Sequence, residues 1–264
     1  MTVPPAGWAA AEAADWERAL RRVGTAARAA TEKAYLKSDL DFAGAGIPAI
    51  RAMVARWSKE RPALQHDQVT GLVAALWARP LHECRAAAAV LLERTSRLLG
   101  PADIDLLEHL LRTSGTWALV DGLAINVVGD IVERSPQAGA VLDRWAGDDD
   151  FWLRRSAILA LLRPLRAGGG DFERFARYAD AMLDEKQFFV RKAIGWVLRE
   201  VAKRRPELVA AWLAPRVHRA SGVTVREAVK PLPDHIRFAL LAGYRDKRAV
   251  RCDYEDKVIT GWTG

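Results

Sequence analysis

The sequence predicts an all-α protein in which helix pairs stack into a solenoid. Three observations carry this. Ala, Leu, Arg and Glu, all strong helix formers, dominate the chain. Apolar residues recur at three- and four-residue spacing, as in Leu106, Leu107, Leu110 and Leu111 or Ala87, Val90 and Leu91. An Arg-x-Ala-aliphatic pattern repeats at Arg155, Arg191 and Arg226, spaced by 36 and 35 residues, with a looser copy at Arg85 two periods before Arg155. A helical pattern with that period means helix pairs laid side by side, each burying the apolar face of the next. No alternating strand with a hairpin turn stands out.

Short breakers separate the helical stretches: Arg61-Pro62, Gly100-Pro101-Ala102-Asp103, Thr113-Ser114-Gly115, Ser135-Pro136, Gly147 to Asp150, Gly168 to Asp171 and Arg205-Pro206. Gly ends a helix by taking a left-handed conformation, and Asp, Ser or Thr opens the next by accepting from its first free N–H groups. Thr116 is such an expected cap. The stretch from 1 to 245 reads as a single repeat domain. The polar, weakly patterned residues 246–264 read as a tail or appendage.

Composition bounds the function. The 264 residues include 40 Lys and Arg against 33 Asp and Glu, a formal net charge of +7. A basic surface suits a polyanionic partner, DNA first of all. The longest apolar runs, Ala86 to Leu92 among them, are far short of the ~20 residues that span a bilayer, so no membrane association is expected. The N-terminus has no basic segment leading into an apolar one, and no signal peptide is expected. Two cysteines make neither a disulfide framework nor a four-cysteine zinc site, which fits a reducing cytoplasmic setting. The five histidines contain no His-x3-His pair, and neither a metal nor another cofactor is expected.

Chemistry-bearing residues fall in consecutive repeats. Trp117 and Asp121 stand at i and i+4 and share a helix face. Asp150 to Ser156 then supplies Phe151, Trp152, Arg154 and Arg155, and Phe188 to Glu200 supplies Arg191, Lys192, Trp196 and Arg199. Each has a structural reading as well. Tryptophans in repeats bury large apolar area, the recurring Arg can be a structural residue of each repeat, and an Asp near a helix start favours the macrodipole.

Several strings resemble the AlkD-type DNA alkylation repair glycosylases. They are Asp150 to Leu159, Phe188 to Glu200 with its Ala-Ile-Gly-Trp-Val-Leu-Arg-Glu run, Tyr35 to Gly44 with Pro48, and Trp117-x3-Asp121. The resemblance runs in order from about Tyr35 to about Lys230. It implies a right-handed superhelical solenoid of HEAT-like repeats with a concave basic face that grips duplex DNA. It implies a monomer that hydrolyses the N-glycosidic bond of N3- or N7-alkylated purines without flipping the base, tolerates bulky adducts, and needs no cofactor or metal. Residue by residue, it places Trp117, Asp121 and Trp196 in the catalytic cleft. Arg155 is its best phosphate contact, with Tyr35, Lys37, Arg154, Arg191, Lys192 and Arg199 as further DNA-binding candidates.

These residue types suit that reaction. Cleavage moves positive charge onto the deoxyribose, and a carboxylate at ~4 Å in an effective dielectric near 20 is worth about 4 kcal/mol to such a charge. Aromatic faces add ~0.5–2 kcal/mol each. Two other readings stay open: a self-resistance enzyme acting on a bulky natural-product adduct, and a catalytically silent HEAT-like scaffold for DNA or protein.

Overall fold

The computed structural model describes residues 7–245; the tail expected at 246–264 lies outside them. Among the described residues the secondary structure is helical, and the one β-bridge, between Asp41 and Leu81, belongs to no strand. No helix among them is long and apolar enough to cross a membrane. The chain divides into two compact units at Leu142/Asp143.

The first unit holds α1 (Trp8–Val23), α2 (Ala26–Leu36), α3 (Ile47–Lys59), α4 (His66–Trp77), α5 (His82–Arg94), α6 (Ile104–Arg112), α7 (Trp117–Leu123) and α8 (Gly129–Arg134). A π-helical segment, Ala124–Val128, joins α7 to α8 without a break. Helices α3, α5 and α7 pack side by side, with α4 against α5, α6 against α7 and α1 against α4 and α5. The core is aliphatic: Leu20, Ile50, Leu72, Leu76, Leu91, Leu107 and Leu110 are all inaccessible to solvent or nearly so.

Helix α9 (Gly139–Ala146) spans the division. The second unit holds α10 (Phe151–Leu159), α11 (Leu162–Arg166), α12 (Phe172–Ala181), α13 (Phe188–Ala202), α14 (Pro206–Leu213) and α15 (Gly222–Ala228), and residues 234–245 are helical as well. Helix α13 packs between α10 and α15, while α11 and α14 cover it and α12 meets α10.

The breakers fall between helices where the sequence placed them, and the caps form. Thr116 accepts from Ala118 N–H, Asp150 from Trp152, Asp171 from Arg174 and Ser221 from Thr224. The repeated arginines fall in the opening turns of α5, α10, α13 and α15. Their side chains have diverged: Arg155 is buried, Arg191 half-buried and Arg226 exposed.

Gly195 marks the closest approach of α15 to α13 that the glycines show. A Cβ there would stand 2.8 Å from Glu227 Cβ and 2.9 Å from Thr224 O, so α15 lies directly on the α13 backbone. We expect Gly195→Ala to cost about 1–3 kcal/mol through overpacking, read as a lowered Tm; an unchanged Tm would mean that α15 moves aside freely.

His66 bridges two carboxylates, Asp67 Oδ1 at 2.9 Å and Asp103 Oδ1 at 2.7 Å, and ties the start of α4 to the loop before α6. The Asp67 bond and then the Asp103 bond raise its pKa above the ordinary 6.5, outweighing the opposing effect of burial. A raised folded-state pKa gives stability that is complete below the unfolded pKa and lost as pH rises through the folded one. The Tm difference between the parent and His66→Gln should therefore be larger at pH 6 than at pH 8.5; the opposite trend would show that His66 is neutral in the folded protein.

Candidate active site

In the first unit the loop between α2 and α3 is drawn onto the N-terminal end of α5. Asp41 N–H donates to Pro80 O at 2.8 Å, and His82 N–H donates to Asp41 O at 2.9 Å. The Glu83 carboxylate, with no exposed surface, accepts from Ala43, Gly44 and Ala45 N–H at 3.0, 2.6 and 3.2 Å. Phe42 stacks on the His82 ring, centroids 4.8 Å apart. Gly44 has φ 79°, and a Cβ there would run into Thr25 O, so only glycine fits this crossing. The segment that resembled the family's N-terminal pattern is thus a fastened loop.

The fastening sets the position of Tyr35 and Lys37. Helix α2 ends at Lys37, whose φ of 50° makes it a left-handed C-cap and the single non-glycine positive φ among the described residues. Tyr35, 70% exposed, meets Trp117 in an edge-to-face contact, with centroids 6.0 Å apart and planes at 87°. Trp117 is half-buried at the first position of α7, and Asp121 is half-buried one turn on. Beside them, Ala118 and Gly122 keep the helix surface low. A Cβ added at Gly122 would meet nothing within 4 Å. Ala118, Leu119 and Gly122 line a hollow of about 90 Å³ with His82 and Ala86 of α5. Burial pushes the His82 pKa down, and its Nδ1 has no hydrogen-bond partner.

The second unit holds the other expected site residues. Trp196 is half-buried on α13. Phe151, Trp152, Phe188 and Phe189 form one aromatic cluster at the openings of α10 and α13, with Phe151 and Phe189 stacked at 6.5 Å and Trp152 to Phe189 at 5.2 Å. Lys192 is exposed, with its ammonium 5.8 Å from the Phe188 ring centre.

Most of the expected DNA-binding arginines have work inside the protein. Arg155 is 3% exposed, and its Nη1 donates to Phe189 O, joining α10 to α13. Arg85 makes the corresponding bond in the first unit, from Nη1 to Thr113 O at 2.6 Å. Arg154 donates to Glu185 Oε2 at 2.9 Å and to Asp148 O and Asp149 O at 2.6 and 2.8 Å. Burial alone would raise the Glu185 pKa; the Gln187 N–H, Arg154 and the Lys186 N–H together hold it below the usual value. Arg191 donates to Glu185 O, and Arg199 pairs with Glu227. Sequence spacing found these arginines and not their partners, because Glu185 lies in the loop before α13 and Glu227 on α15. Glu83 and His82, which fasten the loop beneath Tyr35, were missed as well. Their only sequence signal is the Gly44 that the crossing demands.

Among the described residues the array is all-helical, and Tyr35 near the end of α2 meets Trp117 at the start of α7, one turn before Asp121. The sequence pattern of the DNA alkylation repair enzymes matches residues 16–232, and the chain belongs to that family. Its fold is similar to that of a predicted DNA alkylation repair enzyme from Enterococcus faecalis: TM-score 0.73 at 22% identity, covering 80% of this chain and 97% of that one. It is also similar to AlkD2 from Streptococcus mutans, with TM-score 0.56 at 16% identity over 71% of this chain and 90% of that one. No curated protein matches it in sequence.

The buried placement of Arg155 gives it a test. Arg155→Ala removes a charge-assisted bond from the α10–α13 contact and should cost about 1.5–3 kcal/mol of stability, read as a lower Tm. An unchanged Tm together with a collapse of duplex affinity would instead make Arg155 a phosphate contact.

Proposed function

We propose that the chain is a DNA glycosylase that hydrolyses the N-glycosidic bond of cationic N3- or N7-alkylated purines in duplex DNA. The observation that carries this reading is the contact of Tyr35 with Trp117, one turn before Asp121 on α7, beside the open space at Gly122.

The chemistry follows from the charges. Alkylation leaves the purine cationic and a good leaving group. As the bond from C1′ to the base nitrogen breaks, its electron pair neutralises the purine and C1′ becomes electron-poor. The Asp121 carboxylate stabilises that sugar and orients the attacking water, whose oxygen bonds to C1′ and whose proton passes to solvent. The products are the free alkylpurine and an abasic sugar. Trp117 and Tyr35 offer aromatic surfaces to the cationic nucleotide, and Trp196 is the further aromatic residue of this reading. Lys37 and Lys192, exposed, suit phosphate contacts. Arg154 and Arg155 support their helices. The open surface beside Asp121 suits approach to the sugar of a nucleotide left in the stack, in place of a fitted base pocket. It leaves room for large adducts.

Asp121→Asn should fold normally and bind duplex DNA at least as tightly as the parent, because it removes a negative charge. Excision should fall roughly 10- to 1000-fold, or about 1.4–4 kcal/mol of transition-state stabilisation. Single-turnover release of an N3- and an N7-methylpurine, measured beside a binding titration, separates the two effects. Unchanged release of both purines would remove Asp121 from the chemistry and favour a DNA-binding scaffold.

A further inference from the structure

Four cations without a salt bridge among the described residues lie at the far end of the first unit's helix row. Arg56 and Lys59 close α3, and Arg94 closes α5, with Arg97 just beyond it. All four are exposed and, among the described residues, have neither a salt bridge nor a side-chain hydrogen bond. They surround an open hollow of about 650 Å³ whose other lining residues include Arg61, Leu64 and Leu98, and no carboxylate. Arg61 is held there by Glu12, by Glu60 and by the Trp57 ring, whose centre lies 4.5 Å from its guanidinium carbon.

Helix C-termini favour cations, which accounts for one basic side chain in each last turn. It does not account for Arg97, which lies outside both helices, or for four like charges around one space. Like charges at close range repel. An anion placed among them removes the repulsion and releases the counterions they otherwise gather.

We infer that this hollow is a second DNA-backbone site, which takes phosphates of the strand opposite the one presented to Tyr35, Trp117 and Asp121. This rests on DNA being the partner, as proposed above. Helix α5 has 13 residues, so its two ends are about 20 Å apart. Lys37 and Tyr35 are fastened near the N-terminal end, and the four cations stand at the C-terminal end. That separation is wider than the ~12 Å major groove, enough for the two ends to meet different phosphate rows. An extended polyanion also fits cations spread over two helix ends better than a single small anion, which four exposed side chains would hold loosely.

The test uses the full chain with two double variants, Arg56→Gln/Lys59→Gln and Arg94→Gln/Arg97→Gln, and their combination. Each phosphate contact contributes about 0.9 to the slope of log K against log salt, so the combined variant should lose about 2–4 from that slope, and its Kd should rise roughly 10- to 100-fold near 0.15 M salt. The second arm replaces phosphates of the strand opposite the lesion with uncharged methylphosphonates. The parent should lose affinity and the combined variant should lose no more. Equal losses in parent and variant, or an unchanged slope, would overturn the inference while leaving the glycosylase reading intact. A parent that binds no duplex would overturn the DNA reading and this one together. A parent that binds with the expected slope but releases no purine would sink the glycosylase alone.

Discussion

One buried carboxylate organises the candidate site. Glu83 has no exposed surface and spends both oxygens on three consecutive backbone N–H groups of the α2–α3 loop. A charge removed from water needs such bonds, and the loop needs an acceptor for donors that no helix or strand satisfies. The bargain is mutual: the loop solvates the carboxylate, and the carboxylate fixes the loop. Everything displayed above it depends on this, including the angle at which α2 ends and the meeting of Tyr35 with Trp117. The side chains most exposed to a ligand are therefore positioned by one that no ligand touches.

The same economy governs the rows of helices. Arg85 and Arg155, two periods apart, each reach forward to a carbonyl of a following element, Thr113 O or Phe189 O. The bond is directional, so it sets how far one helix slides along the next, whereas apolar contacts constrain sliding weakly. Gly195 fixes the remaining coordinate by letting α15 rest on the α13 backbone. A repeat protein built this way has its geometry specified between neighbours, layer by layer.

These arrangements also explain which parts were legible in the sequence. Helix positions were, because apolar spacing and breakers act locally: Asp150 and Asp171 cap the helices that follow them whatever else the chain does. Trp117 with Asp121 was legible for the same reason, since a four-residue spacing fixes a shared face. The fate of each arginine was not. Arg154, Arg155, Arg191 and Arg199 look alike in sequence, yet each is bonded to a different set of groups, most of them 5 to 34 residues away along the chain. Charge counted along a sequence overstates charge available at a surface by as much as folding pairs it off. The unpaired cations of α3 and α5 sat in stretches with no motif at all.

Lys37 gives this a further turn. A residue with a Cβ in the left-handed region carries a strain that glycine would not, and helix ends of this geometry most often use glycine. The chain keeps a long cationic side chain at that point, one residue past α2 and two past Tyr35. Natural stability is rarely at its maximum, and the places where it has been given up mark where selection valued something else. The left-handed backbone at Lys37 ends α2 abruptly, and its long cationic side chain stands exposed to water at that point.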